Sequence, residues 1–136
     1  MDSANKHTIL LVDDDRDFRE ILRIKLESKG FSIEEATKGE EGYEKAKKIR
    51  PDLVVMDVQM PKMNGVESLT KIKGDKDISG LRVIFVTNFG ESDPNSNDLD
   101  DKFAKGAGAV GHVRKTDDLD RIATRITEEL TIASGN

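Results

Sequence analysis

Two adjacent aspartates, Asp13 and Asp14, follow the apolar run Ile9-Leu10-Leu11-Val12. Asp57 follows Leu53-Val54-Val55-Met56, Thr87 follows Val83-Ile84-Phe85-Val86, and Lys115 follows Val113-Arg114. Each polar group stands at the end of a short apolar stretch that reads as a buried strand. If these strands are parallel neighbours, the polar groups meet at one edge of the sheet. Three carboxylates, one hydroxyl and one ammonium would then converge. Two acids after the first strand and another after the third repel one another unless a cation sits between them. Oxygen-only ligands favour Mg²⁺, which takes few carboxylates and keeps several waters. Asp57 is then the natural nucleophile, because a carboxylate can form an acyl phosphate. Thr87 can donate a hydrogen bond to one phosphoryl oxygen and Lys115 can pair with another. Phosphoryl transfer needs mainly positioning and electrostatic stabilisation, so these few groups suffice.

Taken singly, each residue has an ordinary explanation. An acidic pair after a strand is often a helix cap. A lone aspartate at a strand end is usually a turn residue, and a lone lysine near the end of a chain is usually a solvated charge. Their joint occurrence at four strand ends is far more specific. Asp15 and Asp17 are assigned to capping and to the solvated first turn of the first helix.

The elements that must position these groups alternate along the chain. After the first run, Phe18, Ile21, Leu22 and Leu26 share a helical face, which Gly30 can end. Phe31, Ile33 and Glu35 alternate with Ser32, Glu34 and Ala36, the pattern of an outer strand. A second helix is expected from about Gly39 to Ile49, with Tyr43, Ala46 and Ile49 inward and Pro51-Asp52 marking its end. Val66, Leu69 and Ile72 make a third helical face, stopped by Gly74. Ala109 to Val113 reads as a short fifth strand. Leu119, Ile122, Ala123, Ile126 and Leu130 stripe a last helix, with Asp117 and Asp118 in its first turn. Five strands alternating with helices favour a parallel sheet covered on both faces. One segment breaks the rhythm: Asn88 to Asp101 is polar, with Gly90 and Pro94, and reads as a long loop before a short helix containing Leu99, Phe103 and Ala104.

Composition narrows the classes. The chain has 136 residues, enough for one domain with one ordinary core. A formal net charge of -5 argues against direct nucleic-acid binding. Without cysteine, neither a disulfide framework nor a thiolate metal site is possible. No apolar run approaches the ~20 residues that span a bilayer, and residues 1 to 7 lack the apolar core of a secretion signal. A cytoplasmic protein with no membrane partner is expected.

Four motifs resemble the receiver domain of two-component response regulators, the CheY-like family. They are Ile-Leu-Leu-Val-Asp-Asp-Asp at 9–15, Asp-Leu-Val-Val-Met-Asp-Val-Gln-Met-Pro-Lys-Met-Asn-Gly at 52–65, Val-Thr at 86–87, and Gly-Ala-Val-Gly-His-Val-Arg-Lys at 108–115. The resemblance implies a flavodoxin-like, doubly wound five-stranded parallel sheet in the order 2-1-3-4-5 with helices on both faces. It implies a receiver domain over 8–131, with 1–7 and 132–136 as flexible termini. It makes Asp57 the site phosphorylated by a sensor histidine kinase or a histidine phosphotransfer protein. It assigns Mg²⁺ to Asp14 and Asp57, with Asp13 acting through water and the Gln59 backbone carbonyl completing the site. Thr87 and Lys115 hold the phosphoryl oxygens and pass the change to a downstream protein. A monomer or weak homodimer is implied. The molecule would be a switch that assists its own phosphorylation and dephosphorylation, not a multiple-turnover enzyme.

The chain departs from the family's usual pattern at four places. Thr116 stands where proline commonly follows the lysine, Asn88 where the residue after the switch threonine is usually small, and His112 where a switch tyrosine or phenylalanine is common. The loop after Thr87 is longer than in compact members, and 88–101 is expected to be the most mobile and most phosphorylation-sensitive segment. Because Thr116 makes a cis bond cost about 2.5–4 kcal/mol, a trans Lys115–Thr116 peptide is expected.

Competing readings are weaker. Gly106, Gly108 and Gly111 match a dinucleotide fingerprint, but that motif opens a helix, whereas here it opens a strand. Asp13, Asp15 and Asp17 have the spacing of a calcium loop, yet Phe18 replaces its glycine and Ile24 its final glutamate. An aspartyl-phosphate phosphatase generally carries a second acid two residues after the nucleophile, where this chain has Gln59, which cannot serve as one. A scaffold without phosphorylation would not need the complete acid set.

Overall fold

The computed structural model describes residues 7–59, 64–87 and 101–134. Its elements are β1 (Thr8–Val12), α1 (Arg16–Ser28), β2 (Ser32–Ala36), α2 (Gly39–Ile49), β3 (Leu53–Asp57), α3 (Gly65–Gly74), β4 (Val83–Thr87), α4 (Asp101–Ala107), β5 (Gly111–Arg114) and α5 (Leu119–Ser134). The strands form one parallel sheet in the order β2-β1-β3-β4-β5. This is the expected flavodoxin-like arrangement.

Strand alternation divides the core in two. Leu10, Val12, Val54, Met56, Val83 and Phe85 face the α2–α3 side, with Ala46, Leu69 and Ile72 packed on them. Ile9, Leu11, Leu53, Val55, Ile84 and Val86 face the α1–α5 side, against Phe18, Leu22, Leu26, Ile122 and Ile126. The three central strands are buried on both faces, which is why they read as unbroken apolar runs. Strand β2 is the expected outer strand and is only partly buried.

Several local expectations need correction. Ile21 is about half exposed: the buried stripe of α1 is Phe18, Leu22 and Leu26 at four-residue spacing, and Ile21 falls beside it. The fifth strand begins at Gly111, not Ala109. Helix α4 closes on Gly108 at φ 108°, with Gly108 N–H donating to Lys105 O and Ala109 N–H to Ala104 O. This glycine-based C-cap uses Ala109, and pairing with β4 starts only where Val110 N–H donates to Val83 O. The same cap disposes of the dinucleotide fingerprint, because Gly108 ends a helix. Helix α5 starts at Leu119, so Asp117 precedes it. The Asp117 carboxylate accepts from Arg114 N–H, while Asp118 O accepts from Ile122 N–H at the helix start.

Helix α5 also runs to Ser134, past the expected boundary at 131. Of the proposed termini, 1–6 and 135–136 lie outside the described residues, as do most of the long segment after Thr87 (88–100) and Leu99 within it. Among the described residues, no helix is long and apolar enough to cross a membrane.

Candidate phosphoryl and metal site

Sheet register brings the candidate residues together. Val12 pairs with Met56, Asp57 with Val86, and Thr87 with Arg114. Asp13 and Asp57 therefore leave adjacent central strands at the same level, one residue before Thr87 and two before Lys115. Lys115 N–H donates to Thr87 O at 2.9 Å, which carries the lysine across the edge of the sheet. The Lys115–Thr116 peptide is trans, as expected.

Asp13, Asp57 and Thr87 are buried, and Asp14 is exposed. One oxygen from each of Asp13, Asp14 and Asp57 lies within 4.8 Å of the others. The Lys115 ammonium sits 3.0 Å from Asp13 Oδ1, 3.4 Å from Asp57 Oδ2 and 3.8 Å from Asp15 Oδ2. It also lies 4.9 Å from the centre of the Phe18 ring. Asp13 Oδ1 accepts a second bond from Asp15 N–H at 2.8 Å, and Asp57 Oδ1 accepts from Gln59 N–H at 3.0 Å.

The electrostatics follow from this crowding. Burial, then the Asp13 charge, push the Asp57 carboxyl up to about 7. Burial raises Asp13 as well, against the bonds from Asp15 and Lys115. Burial works against the Lys115 charge, but Asp13 and Asp57 outweigh it and hold the ammonium above its usual range. One ammonium does not neutralise the cluster. The residues fit a hard cation on a second count: Asp13 Oδ2 is buried and has no hydrogen-bond partner. A buried carboxylate oxygen left this way costs free energy unless something positive meets it.

The first helix supports the site as expected, with Asp15 as its N-cap: the carboxylate accepts from the N–H groups of Asp17 and Phe18. Three further residues shape the site and were not singled out. Gly65 opens α3 so close to β3 that a Cβ there would lie 2.4 Å from Asp57 O. Its signal was its place in the 52–65 motif. Phe18 was read only as core, and Arg19, which donates to Asp13 O at 2.7 Å, carries no local signature.

Known proteins of one family share this chain's sequence and fold. The response regulator receiver domain family matches residues 9–127. The sporulation initiation phosphotransferase F of Bacillus subtilis is 32% identical over 126 residues, covering 93% of this chain and 95% of that protein. The chemotaxis protein CheY of Halobacterium salinarum is 34% identical over 123 residues, covering 90% and 96%. A CheY-like receiver domain structure from Methanospirillum hungatei superposes with a TM-score of 0.79 at 28% identity, covering 95% of this chain and 97% of that one. The chain belongs to the receiver domain family of response regulators.

Proposed function

We propose that this receiver is a phospho-acceptor switch in which Asp57 takes a phosphoryl group from a histidine kinase or histidine phosphotransfer protein. The observation that carries the reading is a buried carboxylate at the end of β3, 3.4 Å from an ammonium and grouped with two further acids. A carboxylate oxygen of Asp57 attacks phosphorus. The new P–O bond forms as the P–N bond to the donor histidine breaks, and the imidazole departs with its electron pair.

Asp13, Asp14, Asp57 and the Gln59 backbone carbonyl are the groups to hold Mg²⁺, with Asp13 acting through water. Bound there, the ion offsets the negative charge of the acids and of the incoming phosphoryl group. The Lys115 ammonium, already between Asp13 and Asp57, exchanges a carboxylate partner for a phosphoryl oxygen. Thr87, buried at the end of β4, donates its hydroxyl to another. Because Lys115 N–H is bonded to Thr87 O, the two respond as one unit and alter a surface read by a downstream protein. Gln59 leaves no second acid for turnover of external phosphoesters, so the molecule acts as a signalling switch and not as a phosphatase.

The test is incubation with acetyl phosphate and Mg²⁺, read by intact mass. One phosphoryl addition is expected, absent without Mg²⁺ and absent in Asp57→Asn. Addition that persists in Asp57→Asn would overturn the assignment.

A further inference from the structure

Asp13 is held through its backbone on both sides. Its N–H donates to Ala36 O at 3.0 Å, and its carbonyl accepts from Arg19 Nη1 at 2.7 Å. Arg19 Nε donates in turn to Glu35 Oε1 at 2.7 Å, and Glu35 immediately precedes Ala36 on β2. The bonds close a ring: Asp13 to Arg19, Arg19 to Glu35, then one peptide step to Ala36 and back to Asp13. Both sides of the Asp13 residue are thus tied to the outer strand.

We infer that Arg19 is a positioning residue for the metal site, acting through the Asp13 backbone and held in place by Glu35. This rests on the Mg²⁺ reading above. With its carbonyl held by Arg19 and Oδ1 held by Asp15 and Lys115, Asp13 keeps one oxygen, Oδ2, without a protein partner. That is the oxygen left to meet the cation or its water. Without the Arg19 bond, the Asp13–Asp14 turn is free to relieve the repulsion among the acids by splaying.

The Arg19 charge itself is not the main contribution. Glu35 lies against it, so the pair presents little net field to the acids. Glu35 also binds Arg23, through Oε2 at 3.1 Å. The geometry is therefore the contribution, and it needs a planar fork: one guanidinium donates to a carbonyl and a carboxylate at once, which a single ammonium on a flexible stem reproduces poorly. Arg23 supplies an internal control. It shares Glu35 but binds Glu27 on its other side and makes no bond to Asp13.

The experiment is a Mg²⁺ titration of the full chain, followed by calorimetry and by the amide shifts of Asp13 to Asp15. Wild type, Arg19→Ala, Arg19→Lys and Arg23→Ala are compared, with urea unfolding of each. Arg19→Ala is expected to weaken Mg²⁺ about tenfold, the usual order for a group that orients a metal ligand. Arg19→Lys is expected to be nearly as weak, and it carries the test if the alanine variant does not fold. Arg23→Ala is expected to bind Mg²⁺ within about twofold of wild type while losing similar stability. Equal weakening by Arg19→Ala and Arg23→Ala would reduce Arg19 to a structural residue and overturn the inference, as would undiminished binding in Arg19→Ala or full rescue by lysine. A wild-type chain that shows no Mg²⁺ response would sink the metal reading itself, and the inference with it.

Discussion

Two buried carboxylates sit at opposite ends of the same sheet and behave oppositely. Asp57, at the end of β3, has acids for neighbours and one shared lysine, and it is pushed up to about 7. Glu129, on α5, packs beside Arg82, the residue before β4. Its two oxygens are bonded to Arg82 and Arg125. Burial penalises the Glu129 charge, yet the two guanidiniums outweigh that and draw its carboxyl below the usual range. Their exposures are similar, at 1% for Asp57 and 5% for Glu129. Burial raises both carboxyls, so the opposite outcomes turn on whether cationic partners outweigh it. At Glu129 two guanidiniums do, and they tie the last helix to the sheet; at Asp57 one shared ammonium does not, a deficit that the proposed cation would fill.

Breaking the Glu129 end should have the largest effect. Arg82→Ala leaves Glu129 buried with one partner and is expected to destabilise the fold by about 2 kcal/mol in urea titration. Mg²⁺ affinity should stay as in wild type, since the change is at the far end of the sheet. A matching loss of Mg²⁺ binding would show that the two ends are coupled.

Filling the deficit should stabilise. Mg²⁺ at ten times its dissociation constant is expected to add about 1.4 kcal/mol. Asp14→Ala should abolish that gain while still folding, because Asp14 is exposed.

Removing the deficit by substitution should act in the same direction. Asp57→Asn is expected to stabilise the metal-free protein by about 1 kcal/mol at pH 7. The pH dependence separates the two carboxylates by sign. With its folded pKa above the unfolded value of 3.8, Asp57 favours the fold most below pH 3.8, and that contribution is lost as pH rises towards about 7. Glu129, with its folded pKa depressed, contributes stability above its usual 4.5 and loses it as pH falls through its folded value. Asp57→Asn should therefore flatten the decline between pH 4 and 7 without changing the acid limb. Unfolding curves across pH would contradict this if wild type and variant ran parallel.

A partly buried carboxylate just after α3, Asp75, gives the smallest effect. The Lys47 ammonium and then the Tyr43 hydroxyl hold Asp75 down at about 2. Tyr43→Phe is expected to move its titration midpoint, followed by NMR, towards 3.8 with little change in stability. A large loss of stability would show that partners matter as much to Asp75 as to Glu129.

Much of this was legible in the residue order, for a local reason. A parallel strand buried on both faces must be an apolar run, and the groups that work at the edge of such a sheet must follow the run directly. Asp13, Asp14, Asp57, Thr87 and Lys115 obey that grammar, so the strands, their crossover helices and the shared sheet edge on which these five fall were readable together. The glycine after α1 and the aspartate cap before it were readable too, since caps depend on neighbours in sequence.

What the tertiary structure alone decided depends on contacts between residues far apart in sequence. Ile21 looked like core until packing against the sheet selected Phe18, Leu22 and Leu26. Strand β5 begins two residues later than its composition suggests, because the α4 cap takes Ala109 first. Arg19 and Glu35 are ordinary charges on an amphipathic helix and an outer strand until parallel pairing of β1 with β2 sets Val12 beside Ala36. Only then do they clamp Asp13. The unpartnered Oδ2 of that aspartate likewise has no trace in the sequence, because a missing partner is a property of the assembled interior.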